Sequence, residues 1–452
     1  MLSNKSETIH ILGICGTFMA GIAQLALKKG YRVTGSDSHY HDPIYSQLKG
    51  LSKTYDLTLF EGHAYKDISP STSMIIVGNV MTRGMQVIED MLIGSIPYTS
   101  GPQWMGSHIL NGKKVIAIAG THGKTTTTAL VSFILQSCKI DCGYLIGGIP
   151  LNNNLTHAHL GTDYFVIEAD EYDSAFFDKR SKFIHYKPTT LLINNLEFDH
   201  ADIFESIEDI QTQFHFLIRT MSAKTNIFAR SVPFIKQLIA KGCWSNLVWL
   251  QSKQHWYAYK SNHHIIITFK NKVISRLSLT EYPSLEISCN SENVLSAYAI
   301  CTQLGVSVTD IEKYLKEFKQ VTRRMQKIYE SPSIVVYEDF AHHPTSIKIS
   351  LEYLKNSFKP DDTGIVIEMG SNSMKMGTWE QKLQLLTKPY KAKLLSKTPL
   401  AVVSKKTLGA LLNSVNAQGS KKKKAIIIMS NKNIDPLRVK ILELVKSYER
   451  KK

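Results

Sequence analysis

Apolar residues along this chain fall in short, nearly unbroken runs that end in glycine or acidic residues, as parallel strands buried on both faces do. Near the start, "IHILG" predicts a strand, "AGIAQLALKKG" a helix that stops at Gly30, and "YRVTGSD" the next strand. "MIIVGNVMTRG" adds another strand to this first segment, which runs from about Thr8 to Gly112. From Lys113 the alternation restarts: "VIAIAG" is a strand, "KTTTTALVSFIL" a helix, and "YFVIEAD" (164–170) and "TTLLINN" (189–195) are two more buried strands. Near Thr322 it restarts once more with "SIVVYEDFAHHPTSIKISLEYL", a strand, a polar turn and a helix, and "AIIIMSN" is a late strand. Strands alternating with helices predict an α/β protein with parallel sheets. At 452 residues the chain is too long for one core, so several domains are expected.

The turn between the second segment's first strand and its helix reads "GTHGKTTTT". The common phosphate loop, G-x-x-x-x-G-K-[ST], places its first glycine five residues before the second. Here that position is Ile118, still inside the strand, and Gly120 stands only three residues before Gly123-Lys124-Thr125. The loop is shorter than usual, but it keeps a lysine, a hydroxyl and the N–H groups of a helix start, which together suit phosphate. The next two strands end in Glu168, Asp170, Glu171 and Asp173, and in Glu197, Asp199, His200 and Asp202. Mg²⁺ takes hard oxygen ligands while phosphates complete its shell, so carboxylates beside such a loop suit it. Any one of them serves equally well as a turn former or helix cap; the whole cluster in one crevice is less easily explained that way.

In the first segment, Gly13, Gly16 and Gly21 mark a turn into a helix, but not in G-x-G-x-x-G register: counted from Gly13, the later glycine positions hold Cys15 and Phe18. A glycine turn at a helix N-terminus suits a phosphate and is also simply a tight turn. Asp37, ending the next strand, is placed to meet a ribose hydroxyl, and Gly78, Asn79 and Arg83 lie at the strand edge where ligands of open α/β sheets gather. His342-His343 would be a zinc pair only with further ligands, and adjacent histidines point apart, so no zinc is expected there.

A formal net charge of +16 raises the question of nucleic acid. The lysines are spread out, however, and the densest run, "SKKKKAIIIM", borders an apolar strand as a solvated loop would. Aromatic and basic residues do not interleave as in single-strand binders, so no nucleic-acid partner is expected, and small anionic substrates would welcome the same field. No apolar run approaches the roughly 18 residues of a membrane span. The opening "MLSNKSETIHILGICG" enters a strand without the basic and apolar regions of a signal peptide, which predicts a cytoplasmic location and no membrane partner. Six scattered cysteines, Cys138 and Cys142 a helical turn apart among them, form neither a disulfide framework nor a metal pair and read as buried thiols.

The stretches "HILGICGTFMAGIA", "GNVMTRG", "SGPQW", "AGTHGKTTT", "VIEADEYDSAFFDKRSKFIHY", "NNLEFDHADIF" and "DFAHHPT" resemble the Mur ligases, and within that family the branch that attaches murein tripeptide in wall recycling. The resemblance covers most of the first 345 residues, and a shortened loop with a run of threonines is typical of the family. It implies three domains: a Rossmann-like domain for UDP-N-acetylmuramate over 1–111, a P-loop ATPase domain over 112–321, and a Rossmann-like ligase domain over 322–452. It implies ATP and Mg²⁺, with Mn²⁺ as a substitute, and UDP-N-acetylmuramate and the tripeptide L-alanyl-γ-D-glutamyl-meso-diaminopimelate as substrates, with no obligate protein partner. By position, Gly120, Thr121, His122, Gly123, Lys124, Thr125 and Thr126 would wrap the ATP phosphates. Thr125, Glu168 and His200 would hold metal, and Lys124, Glu168, His200 and Arg324 would carry catalysis. Asn290 and Asn293 would meet adenine, with Cys289 standing where the family has histidine. Arg323 would meet the phosphates and Asp339 the ribose. Gly13, Cys15, Gly16, Thr17, Asp37, Gly78, Asn79 and Arg83 would bind the UDP-sugar, and His342 and His343 would line the amine side.

Two late segments depart from the family. "EMGSNSMKMG" from Glu368 stands for E-P-R-S-N-T-M-K-M-G, and "KNIDPL" from Lys432 replaces a glycine-rich run. Both lie where the incoming peptide is expected. Besides the tripeptide ligase, this leaves open a ligase for L-alanine and a non-catalytic nucleotide- or UDP-sugar-binding protein with a drifted third domain.

Overall fold

The computed structural model describes residues 7–40, 42–282, 291–370, 372–397, 399–400, 403–416, 423–432 and 434–450. They separate into two units: one takes in most of the first 321 residues, the other Thr322–Lys452 together with Phe198–Glu205. Among the described residues no helix is long and apolar enough to cross a membrane.

The first unit begins with five parallel strands, β1 (Thr8–Leu12), β2 (Arg32–Asp37), β3 (Leu57–Glu61), β4 (Met74–Val77) and β5 (Tyr98–Ser100), ordered β3-β2-β1-β4-β5. Strand order reverses beside β1, and ligands of open parallel sheets bind outside the C-terminal ends of the strands at such a reversal. The exits of β1 and β4 run very close there, because a Cβ on Gly78 would meet the Leu12 carbonyl oxygen at 2.7 Å. The helix Thr17–Lys28 packs behind the turn with Ile22, Ala23, Leu25 and Ala26 fully buried.

The same unit continues into a second sheet. Its strands are β6 (Lys114–Ala119), β7 (Cys142–Leu145), β8 (Ala158–His159), β9 (Tyr164–Ala169), β12 (Thr190–Ile193), β13 (Asn226–Arg230), β14 (Asn246–Leu250), β15 (Trp256–Ser261), β16 (His264–Phe269) and β17 (Lys272–Ser278). A separate hairpin of β10 (Asp173–Ala175) and β11 (Asp178–Ser181) comes after β9. The order β17-β16-β15-β14-β13-β12-β6-β9-β7-β8 puts β6 between β12 and β9, all parallel, while β16 and β17 extend the sheet antiparallel beyond β15. The loop leaving β6 therefore emerges between the acidic ends of its two neighbours. Burial of both faces explains why these strands are apolar throughout.

The second unit has one sheet of β18 (Gln326–Glu330), β19 (Ile334–Asp339), β20 (Thr363–Glu368), β21 (Lys393–Ser396) and β22 (Lys424–Met429), in the order β18-β19-β22-β20-β21 with only β18 antiparallel. Apolar clusters cover both its faces. Phe198–Glu205 belongs with this unit: Ser373 Oγ donates to Asp199 Oδ1 at 3.0 Å, Ala201 N donates to Ser373 Oγ at 3.2 Å, and His343 Nε2 donates to the Phe198 carbonyl at 3.3 Å.

Candidate active site

The loop from Gly120 to Lys124 is shaped by two glycines in the left-handed half of backbone space, Gly120 at φ +133° and Gly123 at φ +81°. Gly123 is also pinned from outside, since a Cβ there would lie 2.5 Å from Asn293 Oδ1. Gly123 caps the helix Lys124–Ser137 without a side chain, which leaves the first-turn N–H groups directed toward the loop. The next threonines, Thr125 and Thr126, are buried. Thr121 Oγ1 accepts from Glu197 N at 2.9 Å, and His122 N donates to Asn195 Oδ1 at 2.7 Å.

Lys124 folds back over the loop, donating to the Gly120 carbonyl at 2.8 Å and to Glu171 Oε2 at 3.2 Å, with Asp170 Oδ1 at 3.6 Å. Burial alone would lower its pKa, but Glu171, Asp170 and Glu168 together overcome that and hold it above the ordinary lysine value. Thr125 Oγ1 donates to Glu168 Oε2 at 3.0 Å, and Gly147 N donates to the other carboxylate oxygen. The Glu168 carboxylate fills the space over Gly147, where a Cβ would meet it at 2.6 Å. The crevice so far holds three carboxylates, and a hydroxyl beside one of them gives the oxygen donor set of a hard divalent cation.

A third layer lies beneath the loop. Asn194 Nδ2 donates to Asn293 Oδ1 at 3.1 Å, while Asn194 Oδ1 accepts from Arg230 at 2.5 Å and from Ser296 Oγ at 3.3 Å. Arg230, 4% exposed, is ion-paired with Glu292. Asn293 thus braces the loop from Gly120 to Lys124, and Asn290 lies outside the described residues. Sequence reasoning did not single out Asn194, Asn195 or Arg230. Their one signal was polar character at the ends of two otherwise apolar strands. It also passed over Lys182 and Tyr186, buried residues just beyond the hairpin.

At the first sheet, Gly13 turns at φ +77° and Gly16 begins the helix Thr17–Lys28, whose first turn carries no acidic residue. Asp37 Oδ2 accepts from Cys15 N at 2.8 Å and so closes this turn. Asn79 reaches across to the hairpin, donating to the Asp173 carbonyl at 2.7 Å and to its Oδ1 at 3.0 Å. Arg83 is paired with Glu89 at 2.9 Å on the surface. Cys15 is buried, and burial first and Asp37 second push its thiol up to about 12, which suits packing and not nucleophilic work.

In the second unit, Arg323 is spent on structure: it pairs with Glu338 at 2.7 Å and donates to the carbonyls of Ser430 and Lys432 at 2.7 and 2.6 Å. Arg324 lies over the Phe340 ring at 4.9 Å. Asp339 accepts from Met325 N at 2.9 Å and Ala341 N at 2.7 Å; its burial raises the pKa against these donors and Arg324. His343 caps the helix Pro344–Lys355 and His342 donates to the Phe340 carbonyl at 3.0 Å. His200 sits at φ +55°, strained for a side-chain-bearing residue. Burial would raise the pKa of neighbouring Asp199, but His200, His342 and His343 help to bring it below the ordinary value. The structure therefore brings Lys124, Thr125 and Glu168 together in the first unit, while His200 gathers with His342 and His343 in the second.

Residues 118–299 match the Mur ligase middle domain, and residues 8–113 match the Mur ligase family, catalytic domain. The UDP-N-acetylmuramate–L-alanyl-γ-D-glutamyl-meso-2,6-diaminoheptandioate ligase of Escherichia coli (strain K12) is 42% identical over 83% of this chain and 81% of its own. The UDP-N-acetylmuramate–L-alanine ligase of Pelagibacter ubique is 31% identical over 79% of this chain and 76% of its own. Among solved structures, a murein peptide ligase from Psychrobacter arcticus superposes with a TM-score of 0.73 at 33% identity, covering 97% of this chain and 99% of that one.

Proposed function

The chain belongs to the Mur ligase family, and we propose that it joins UDP-N-acetylmuramate to the tripeptide L-alanyl-γ-D-glutamyl-meso-diaminopimelate, at the expense of ATP, in cytoplasmic recycling of wall peptide. The observation that carries this choice of amine is the closer match to tripeptide ligases than to L-alanine ligases. We assign the UDP-sugar to residues 1–111, ATP to 112–321 and the incoming peptide to 322–452.

A carboxylate is a poor acyl donor until it is phosphorylated. In the proposed reaction a lactyl carboxylate oxygen attacks the γ-phosphorus of ATP and ADP leaves. The tripeptide amine then attacks the acyl phosphate carbon, the amide forms and phosphate leaves. The protein's task is to hold several negative charges together and in line, so its contribution is mainly positioning and electrostatics. Lys124 and the loop N–H groups would hold the β- and γ-phosphates, and the raised pKa of Lys124 keeps its charge fixed across the working pH range. Thr125 and Glu168 would hold Mg²⁺, which would offset the charge of the transferring phosphoryl group, and we assign His200 to metal binding as well. The turn Gly13–Thr17 and the edge residues Gly78, Asn79 and Arg83 would meet the UDP-sugar, with Asp37 fixing the turn. Asn293 would face the nucleotide; in the second unit we assign Arg324 and Asp339 to ATP, and His342 and His343 to the amine.

The test is phosphate release from ATP and UDP-N-acetylmuramate with tripeptide, with L-alanine and with no amine. Release that depends on tripeptide is the expected result. Release with L-alanine alone would move the chain to the other branch, and release with neither would mark a binding protein.

A further inference from the structure

One buried cation of the first unit has no place in the ATP loop. Lys182 opens the short helix Lys182–His185 just after the hairpin and is 4% exposed. Its Nζ donates to the Tyr172 hydroxyl at 2.8 Å and to Asp170 Oδ2 at 3.4 Å, and lies 4.1 Å from the Tyr172 ring centre and 4.7 Å from that of Phe18. The other Asp170 oxygen is 3.6 Å from Lys124 Nζ. One carboxylate thus spans two ammoniums, one on the phosphate loop and one beside Phe18. Phe18 belongs to the first turn of the helix Thr17–Lys28, directly after the turn Gly13–Thr17 assigned above to the UDP-sugar. Lys182 therefore stands between the place of the γ-phosphate and that of the sugar, where a carboxylate of the sugar must come to react.

A structural role alone accounts poorly for this residue. Burial lowers its pKa, and Asp170 offsets that only in part. A half-share of one carboxylate, one hydroxyl and two aromatic faces compensate a buried ammonium less well than an apolar side chain would simply pack. A second observation points the same way. Tyr186, four residues on and 1% exposed, has a hydroxyl without a hydrogen-bond partner among the described residues, although Asp170 and Glu168 are near enough to add to the rise that burial causes in its pKa. Buried hydroxyls are rarely left so. An ammonium and a hydroxyl on one short segment suit one anionic acceptor.

We propose that Lys182, with Tyr186 as a second donor, receives the lactyl carboxylate of UDP-N-acetylmuramate and turns it toward the γ-phosphate. The proposal rests on the ligase reading above and names the group that grips its reacting atom.

The test compares UDP-N-acetylmuramate with UDP-N-acetylglucosamine, which lacks the lactyl carboxylate, by calorimetric titration of the full chain. Wild type is expected to prefer the muramate by at least about tenfold, the range of a charge-assisted hydrogen bond. In Lys182→Met the preference should collapse toward one while affinity for the glucosamine sugar changes less than about twofold. Tyr186→Phe should lower it by about threefold, and Lys182→Gln is the second variant should the methionine form fail to fold. A preference that survives both lysine substitutions overturns the assignment. Equal weakening of both sugars makes Lys182 structural and overturns it too. If wild type itself shows no preference, the ligase reading fails first.

Discussion

Thr125 Oγ1 donates to Glu168 Oε2 across 3.0 Å, linking the first turn of the loop helix to the end of the neighbouring strand β9. The pair exists because β6 and β9 run parallel in register, with Ile118 opposite Glu168, so the loop leaving β6 must pass the end of β9. A hydroxyl and a carboxylate so joined are oxygen donors of the kind a hard divalent cation takes.

Glu168→Gln keeps the shape and the hydroxyl contact while removing the charge. It should raise the Mg²⁺ concentration for half-maximal phosphate release by at least about tenfold, because a hard cation loses its anionic ligand. A Mg²⁺ titration unchanged from wild type would show that Glu168 only anchors Gly147.

Lys124→Ala should abolish phosphate release, since the loop's fixed cation is lost and the β- and γ-phosphates are left undercompensated. The substitution also leaves Glu171, 2% exposed, without the ammonium 3.2 Å away, so a lower melting temperature is expected alongside a native circular dichroism spectrum. Turnover near that of wild type would remove the phosphate-loop assignment.

Much of the fold and loop is legible in the sequence, and the reasons are particular. β6, β9, β12, β19 and β22 are buried on both faces, so their apolar runs announce them, and Gly120 and Gly123 announce the loop because few other residues take those backbone angles. Pairings between distant residues are not legible. Nothing in the sequence tells that Asn194 meets Asn293 or that Asp170 is shared by two lysines, since strand order decides both. Arg323 and Arg324 look equivalent there, and only the carbonyls of Ser430 and Lys432 distinguish the one held by backbone.

Gly123→Ala should damage the loop without touching any charge. The left-handed backbone at φ +81° costs about 1–2 kcal/mol for a residue with a Cβ. The new methyl would also press on Asn293 Oδ1, disturbing the Asn194 contact beneath. A lower melting temperature and a KM for ATP raised several-fold are expected, with the KM for UDP-N-acetylmuramate little changed. Differential scanning calorimetry and initial-rate kinetics check the two halves separately.

His10 gives the first sheet a pH dependence whose sign can be worked out. Burial, and then the charge of His63, lower its pKa from 6.5 to about 4. The unfolded chain therefore takes up a proton between about pH 6.5 and 4 that the folded one refuses, and its contribution to stability is complete above 6.5 and lost as pH falls through that window. The full loss is roughly 3 kcal/mol. Urea unfolding of wild type and His10→Gln at pH 7 and pH 4.5 should show the stability gap between them narrowing at the lower pH. A constant gap would mean that His10 titrates normally.

The last prediction concerns the altered segment after β20, where Gly370 stands in place of the arginine that the family resemblance implies. Arginine grips a carboxylate through two parallel bonds, each charge-assisted, so its loss should cost about one to two powers of ten in affinity for a peptide carboxylate. Gly370 can take a side chain: it is not in the left-handed region, and a Cβ there would meet Lys432 Cγ at 3.2 Å and Glu368 Cγ at 3.3 Å, both on side chains. Glu368 is 4% exposed and accepts from Ser430 Oγ at 2.6 Å, which gives its carboxylate a partner of its own. Gly370→Arg should therefore lower the KM for tripeptide by about tenfold and leave the KM for ATP within about twofold. Steady-state rates over a range of tripeptide concentrations decide it. An unchanged tripeptide KM with an intact fold would mean that this segment lies away from the peptide carboxylate, whatever its likeness to the family.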